Sequence, residues 1–179
     1  EVSHFIGSFA DLSQLRASEN RVHQLAHFDP LTGLPNQTVL QDRTGHAITM
    51  AQRMKEPLCL MQLSIDHFKM VNDSHSHAMG DRVLIEVARR LSAEVREQDT
   101  VTHQAGNEFS LLLPTTGSDG AAHLAGELLW ALAQPYVLDG QSFSLTASIG
   151  IASYPENGND FEGLAKCAAI ALHRAQSSG

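Results

Sequence analysis

The residues best suited to chemistry in this sequence lie at a turn within VTHQAGNEFSLLLP, residues 101–114. Two short apolar runs flank a Gly-Asn pair, a pattern that predicts a β-hairpin. The tip reads Ala105-Gly106-Asn107-Glu108-Phe109 and combines a glycine with a carboxylate side chain. The stretch therefore raises the question whether the tip of this hairpin is a working active site or only the shell of one.

The hydrophobic pattern around this hairpin predicts the elements that must hold it in place. The apolar run LCLMQLSI, residues 58–65, is typical of a strand buried on both faces, and residues 78–97 place their apolar side chains on one helical face. The other predicted elements are helices over about 37–54, 67–73, 118–133 and 160–176 and a strand over 142–152. The order α-β-α-α-β-β-α-β-α predicts an α+β fold, an antiparallel-rich sheet with helices packed against it.

The composition is that of an ordinary globular protein and argues against several classes of function. The 179 residues carry a net charge of −8, which argues against a nucleic-acid partner, since such binding usually needs a basic face. No apolar run reaches the ~18 residues that a membrane-spanning helix needs, and no signal peptide is visible at the start. Cys59 and Cys167 lie in apolar surroundings, as expected of reduced thiols in a cytoplasmic protein.

Several spaced motifs together resemble the GGDEF family, the diguanylate cyclase domains of bacterial signalling proteins. The motifs are DPLTGLPN, SIDHFKMVND, SHAMGD, AGNEF and SIGIASYP, in the order of the family, and the resemblance covers residues 27–176. It implies a ferredoxin-like nucleotidyl-cyclase palm, with a central, mostly antiparallel sheet flanked by helices. Active members of the family join two GTP molecules into cyclic di-GMP, releasing two pyrophosphates, across a homodimer with carboxylate-bound magnesium.

The first residues resemble parts of larger sensor proteins. Residues 1–15 are similar to the closing strand of a PAS domain, and residues 11–27 are predicted to form a linker helix that transmits the state of a sensor. By analogy with such multidomain proteins, an EAL phosphodiesterase domain is expected to follow in the full-length protein.

The cyclase site implied by the resemblance lacks several of its characteristic side chains. Ser64 and Asn107 stand where the family has acidic metal-site residues, and neither carries a negative charge. Ala105 replaces the first glycine of the turn, where a Cβ would crowd the approach to phosphate. His103 replaces an arginine, and Gln176 replaces a lysine that meets phosphate. We therefore expect a degenerate site that is catalytically inactive or very weak.

The resemblance implies magnesium as the cofactor, and the missing carboxylates argue against it here. Asp66, two positions after Ser64, is a weak remaining candidate for a metal ligand. His67, His75 and His77 lie close together in sequence, but without a cysteine partner or a repeating ligand spacing they do not predict a zinc site.

Other residues match the nucleotide-binding positions of the family. Asn72 and Asp81 match its guanine-binding pair, since an amide and a carboxylate can donate and accept along a guanine edge. The alternative is that Asn72 caps one helix and Asp81 favours the N-terminal region of the next. Lys69 matches a phosphate-contacting lysine, with an exposed, solvated lysine as its alternative. Gly106 and Glu108 keep their places in the turn and complete the candidate nucleotide-binding residues.

Arg96 and Asp99 form an RxxD motif at the offset where the family has an inhibitory site for cyclic di-GMP. An arginine can bond the O6 and N7 atoms of guanine in a fork. The alternative is an ion pair between residues i and i+3 at a helix end.

These observations predict a regulatory module that binds GTP or cyclic di-GMP, or forms a homodimer, and thereby biases a neighbouring domain. The enzymatic alternative is a slow diguanylate cyclase that uses Asp66, Glu108 and backbone oxygens for its metal. The structural alternative is a dimerisation spacer that binds no ligand.

Overall fold

The computed structural model describes Arg16 and residues 26–178, which contain five helices and six strands. In chain order these elements are α1 (Gln37–Met54), β1 (Leu58–Ile65), α2 (Phe68–Ser74), α3 (His77–Glu94), β2 (Thr100–Ala105), β3 (Glu108–Pro114), α4 (Ser118–Ala133), β4 (Tyr136–Leu138), β5 (Gln141–Phe143), β6 (Ala147–Tyr154) and α5 (Phe161–Ser178). The PAS-like strand predicted over 1–15 and most of the linker helix predicted over 11–27 lie outside the described residues. Within them, none of the helices has the length and apolar character needed to cross a membrane.

Strand β1 is the centre of the sheet, because its side chains are almost all apolar and can be buried on both faces. It pairs antiparallel with β3 on one side and with β6 on the other. Strand β2 pairs with β3 and completes the order β2-β3-β1-β6. The predicted α+β fold with a mostly antiparallel sheet is confirmed.

Alternate residues of β1 point into two separate layers, as the pleat of a strand requires. Cys59, Met61 and Leu63 pack in the core that contains α3 and α4. Leu58 and Leu60 pack on the opposite face, in the core that contains α1 and α5. None of these five side chains is more than 1% exposed, so the sheet is covered by helices on both sides of its central strand.

Two predicted elements differ from the structure. The helix predicted over 78–97 ends at Glu94, because the backbone of Val95 is extended with φ −97° and ψ 158°. The strand predicted over 142–152 is two strands in different sheets, since β5 pairs only with β4 and β6 joins the central sheet. The polar and apolar alternation continues across this break, and the sequence pattern therefore did not reveal it.

Arg90 on α3 caps the C-terminal end of the neighbouring helix α4. Its guanidinium donates to three carbonyl oxygens at 2.7–3.0 Å, those of Ala131, Gln134 and Pro135. It also donates to Glu86 at 2.9 Å and lies 3.9 Å from the ring centre of Tyr136. Hydrogen bonds from Arg89 and Arg90 lower the pKa of Glu86 to about 2. Since the last carbonyls of a helix have no partner within the helix, Arg90 supplies the missing donors.

We expect Arg90→Ala to lower the free energy of unfolding by about 2 kcal/mol, because it removes several hydrogen bonds at a partly buried position. The matched control is Arg89→Ala, which removes an exposed partner of the same Glu86 and should cost less than about 0.5 kcal/mol. Urea unfolding of both variants at neutral pH measures the difference, and equal losses would contradict the assigned role.

The ionised Glu86 also makes the stability of the fold depend on pH. Because the pKa of Glu86 is depressed from 4.5 to about 2, the stabilisation by its carboxylate is fully present above pH 4.5 and is lost as the pH falls toward 2.

Candidate functional site

The end of β1 and the tip of the β2–β3 hairpin come together at the edge of the sheet. The strand register places Ser64 opposite Glu108 on one neighbour and Ser148 on the other. Ser64 is 3% exposed, and β1 ends one residue later at Ile65. Gly106 at the turn has φ +59°, the left-handed conformation that favours glycine. The predicted hairpin therefore delivers its tip to the end of the buried strand.

A neutral hydrogen bond joins the two positions where the family resemblance implies acidic side chains. The side-chain amide of Asn107 donates from Nδ2 to Oγ of Ser64 at 2.9 Å and to the carbonyl oxygen of Ile65 at 2.6 Å. The carbonyl of Asn107 accepts from the backbone N–H of Ile65 at 3.1 Å. The turn is thus fastened to β1 by side-chain and backbone hydrogen bonds without any charged group.

Asp66 has a structural role in the same place. Its carboxylate accepts hydrogen bonds from Oγ1 of Thr146 at 2.8 Å and from Oγ of Ser148 at 2.9 Å. Its backbone N–H donates to the carbonyl oxygen of Thr146 at 2.9 Å. Asp66 therefore ties the end of β1 to the beginning of β6.

These residues do not fit a magnesium ion well. Magnesium in proteins is bound through one or two carboxylates within a near-octahedral shell of oxygen atoms. Here the amide of Asn107 presents N–H groups to the oxygens of Ser64 and Ile65, and Asp66 already accepts two hydroxyl hydrogen bonds. In the described part of the chain, no three His, Cys, Asp or Glu side chains form a group that could hold a metal.

His103, which stands in the place of an arginine, is buried and joins the turn to the loop before α1. Its Nε2 lies 3.0 Å from the carbonyl oxygen of Gly106. Its Nδ1 lies 3.0 Å from Oδ2 of Asp29, a distance suited to an ion pair when the ring is protonated, but the two groups are not aligned as a hydrogen bond. This network connects the hairpin tip with the DPLTGLPN segment.

Asp29 and Thr32 are site residues that the sequence reasoning did not assign. Asp29 accepts hydrogen bonds from the backbone N–H and Oγ1 of Thr32, both at 2.7 Å. Burial acts to raise the pKa of Asp29, but the two hydrogen bonds from Thr32, together with the proximity of the His103 ring, hold that pKa below its ordinary value. The available signal was the DPLTGLPN motif that contains both residues.

Helices α2 and α3 meet closely where Asn72 faces Gly80. A Cβ at Gly80 would overlap Oδ1 of Asn72, so a larger residue there would force the Asn72 side chain to move. Asp81 follows Gly80 directly and is exposed. The helix-end alternative is wrong, because Ser76 caps α3 and Asp81 lies beyond the first turn of that helix. The structure therefore brings Asn72 and Asp81 to one joint between two helices.

The Arg96–Asp99 motif forms a hydrogen-bonded turn. The alternative of an ion pair between the two side chains is wrong. The carboxylate of Asp99 accepts from the backbone N–H of Arg96 at 2.9 Å, and the Asp99 N–H donates to the Arg96 carbonyl at 3.0 Å. Asp99 is 9% exposed, and its Oδ1 is buried without a hydrogen-bond partner. Arg96 is exposed and forms no ion pair with the described residues.

The other predicted residues lie at the surface or at the cavity beside the turn. The exposed ones are Lys69, Ala105, Glu108, His67, His75 and His77. The ring of His75 stacks on Phe143 with 5.9 Å between centroids. Gln176 from α5 reaches the cavity beside Asn107, which has a volume of about 360 Å³.

The family model described as "Diguanylate cyclase, GGDEF domain" matches residues 26–179. The chain is 40% identical to an uncharacterized signaling protein of Caulobacter vibrioides, over 94% of this chain and 21% of that protein. It is 39% identical to the bifunctional diguanylate cyclase/cyclic di-GMP phosphodiesterase MucR of Pseudomonas aeruginosa, over 93% of this chain and 24% of MucR. The chain thus spans about a quarter or less of the length of these relatives.

Solved structures agree with these matches. The GGDEF domain of TpbB from Pseudomonas aeruginosa superposes with a TM-score of 0.82 at 34% identity, covering 86% of this chain and 90% of that one. The GGDEF domain of DgcB from Caulobacter crescentus, in complex with cyclic di-GMP, superposes with a TM-score of 0.78 at 26% identity, covering 86% of this chain and 92% of that one.

Proposed function

The chain belongs to the GGDEF family of diguanylate cyclase domains, which act in cyclic di-GMP signalling, and from this premise we propose that it is a degenerate, regulatory member. In this proposal the domain binds GTP or cyclic di-GMP in the cytoplasm and passes the occupancy of its sites to the rest of a larger protein. It does not synthesise cyclic di-GMP at a useful rate.

The observation that carries this proposal is the hydrogen bond from Asn107 to Ser64. Phosphoryl transfer from GTP needs divalent cations, because negative charge develops on the reacting phosphate. Two uncharged side chains that bond to each other supply no anionic ligands for such cations. The alternative of a slow cyclase would depend on Asp66 and Glu108, but both oxygens of Asp66 already accept hydroxyl hydrogen bonds.

The relatives support a larger context. MucR is named as both a cyclase and a phosphodiesterase, and this chain matches only 24% of its length. We therefore infer a neighbouring EAL phosphodiesterase domain, a preceding PAS-like domain of which residues 1–15 are the end, and pairing of two copies as the setting in which the module works. Pairing alone, without a ligand, is the spacer alternative, and binding measurements separate the two.

Guanine recognition is the first test of this function. We expect GTP to bind, and Asp81→Ala to weaken it about tenfold or more, because a hydrogen bond to a charged group contributes about 1.5–3 kcal/mol. Asp73→Ala is the matched control, since it removes an exposed carboxylate from α2, the helix that carries Asn72. Calorimetry with each protein measures the affinities. An unchanged GTP affinity in Asp81→Ala would contradict the guanine-binding assignment.

Cyclic di-GMP binding at Arg96 is the second test. We expect Arg96→Ala to weaken this binding about tenfold or more, because a forked arginine contact to guanine is worth about 1–3 kcal/mol. Its melting temperature should barely change, since the guanidinium is exposed and has no ion-pair partner among the described residues. Arg53→Ala, at an exposed position on α1, is the control for lost charge. Absence of binding to the unaltered chain at high micromolar ligand would contradict the receptor role.

A further inference from the structure

We propose that the nucleotide pocket recognises guanine without depending on its phosphates, so that GMP binds at least as tightly as GTP and neither of them needs magnesium in order to bind. This inference rests on the proposed function, because it concerns the ligand of the same pocket. It follows from the poor fit between the residues at the hairpin tip and a magnesium ion. It names guanosine monophosphate, or the nucleoside itself, as the class of ligand that the pocket accepts.

The amide of Asn107 stands where a cation would have to bind. Both Oγ of Ser64 and the carbonyl oxygen of Ile65 receive a hydrogen bond from Nδ2 of Asn107, at 2.9 and 2.6 Å. A side-chain amide has two N–H donors, and both are used in these contacts. Each of these oxygens at the end of β1 therefore already accepts a hydrogen bond, and a cation that bound both of them would compete with the amide.

The cavity beside this amide has a carboxylate but no lysine or arginine in its lining. The cavity is lined by Asn107, Gln176, His67 and Asp66 among others, and no Lys or Arg is among its lining residues. Lys69 is exposed on α2, outside this lining. Asp66 contributes a carboxylate to it. Each additional phosphate therefore adds negative charge near a carboxylate, with no lysine or arginine in the lining to offset the repulsion.

The candidate guanine-binding residues do not belong to the lining of this cavity. Asn72 and Asp81 lie at the joint between α2 and α3, and neither lines the cavity. The amide and the carboxylate can both engage the base edge whether the ligand carries one phosphate or three. The binding free energy should therefore come from the base, while the phosphates contribute nothing or oppose binding.

The experiment compares guanosine, GMP, GDP and GTP by calorimetry on the unaltered chain, with magnesium and with a chelator. We expect GMP to bind as tightly as GTP or up to about tenfold more tightly at low salt, where charge repulsion is least screened. Magnesium should change the affinity for GMP by no more than about twofold, since the site lacks the carboxylates that would retain the ion. On GTP it can only offset part of the phosphate charge, so it should not raise the affinity for GTP above that for GMP. Asp81→Ala should weaken all four ligands by a similar factor.

Two variants should restore phosphate recognition. Gln176→Lys introduces a cation into the cavity and should favour GTP over GMP even without magnesium, whereas Gln52→Lys makes the same change at an exposed position on α1, outside the cavity lining, and should not. Ser64→Asp combined with Asn107→Asp should make GTP binding respond to magnesium.

The outcomes separate this inference from the proposed function. If GTP binds more than about tenfold more tightly than GMP and requires magnesium, the inference is overturned while guanine binding stands. If no guanine nucleotide binds but cyclic di-GMP does, the inference is overturned and the receptor role of Arg96 stands. If neither kind of ligand binds, the proposed function itself is overturned.

Discussion

Incubated with GTP and magnesium, the chain is expected to form cyclic di-GMP at least about a thousandfold more slowly than the GGDEF domain of TpbB assayed beside it. TpbB is named as a diguanylate cyclase and is 36% identical to this chain over 156 residues. The reaction requires a ribose 3′-hydroxyl to attack an α-phosphate while pyrophosphate leaves in line. Loss of the metal removes several kcal/mol of transition-state stabilisation, and each 1.36 kcal/mol is a factor of ten in rate.

The neutral Asn107–Ser64 contact is the structural reason for this expectation. In place of two anions that attract a cation, the site has an N–H donor directed at two oxygens. The nearby cavity also has Gln176 where the family resemblance implies a lysine for phosphate. The proposed loss of activity thus rests on metal and phosphate contacts together, and we expect that a single compensating change would not restore turnover.

The assay must be run over a range of protein concentrations, because in active members of the family each protomer holds one GTP and two protomers must meet. Chromatographic detection of cyclic di-GMP over hours gives the sensitivity for a slow reaction. A rate that rises with concentration to within about tenfold of the TpbB domain would contradict the degenerate assignment and favour the slow cyclase. A chelator control shows whether any residual product depends on a metal.

Gly150→Ala is expected to lower the free energy of unfolding by at least about 3 kcal/mol or to prevent folding, because it forces an atom into a closely packed region. Gly150 lies in β6 beneath α5. A Cβ at this position would overlap the backbone of Ala168 and Leu172, with only 2.8 Å to the Cα of Leu172. These are backbone atoms of a helix, so they cannot move aside as a flexible side chain can.

Gly126→Ala is the matched control, because the same methyl group is added where nothing lies within 4 Å. It is in the interior of helix α4, where alanine is favoured over glycine by about 0.5–1 kcal/mol. Thermal and urea unfolding of both variants should therefore show opposite signs. If Gly150→Ala unfolds within about 1 kcal/mol of the parent, the close packing of α5 on β6 is contradicted.

Much of the fold was determined by local sequence. Helix α1 was predicted over 37–54 and begins where Asn36 accepts a hydrogen bond from the backbone N–H of Val39. Strand β1 was predicted over 58–65, because an apolar run of that length suits a strand covered on both sides. In these cases the cause of the structure lies within a few residues of the effect, and a sequence pattern is sufficient to show it.

The substitutions at the candidate site were also visible in the sequence, but their consequences were not. Ser64 and Asn107 are separated by 43 positions, and only the strand register places the amide against the hydroxyl. In the same way, the sequence identified the RxxD motif but not the turn in which Asp99 binds the backbone of Arg96.

The tertiary structure alone decided the division of the predicted strand over 142–152 and the burial of His103 against Asp29. Strand alternation states which side chains share a face, but it does not state which neighbouring strand supplies the hydrogen bonds. Likewise, a histidine in a strand does not reveal which distant carboxylate will lie beside it. Local sequence therefore shows where the helices and strands lie and that positions 64 and 107 carry no acidic side chain. Only long-range packing brings these two uncharged side chains into the hydrogen bond that joins them.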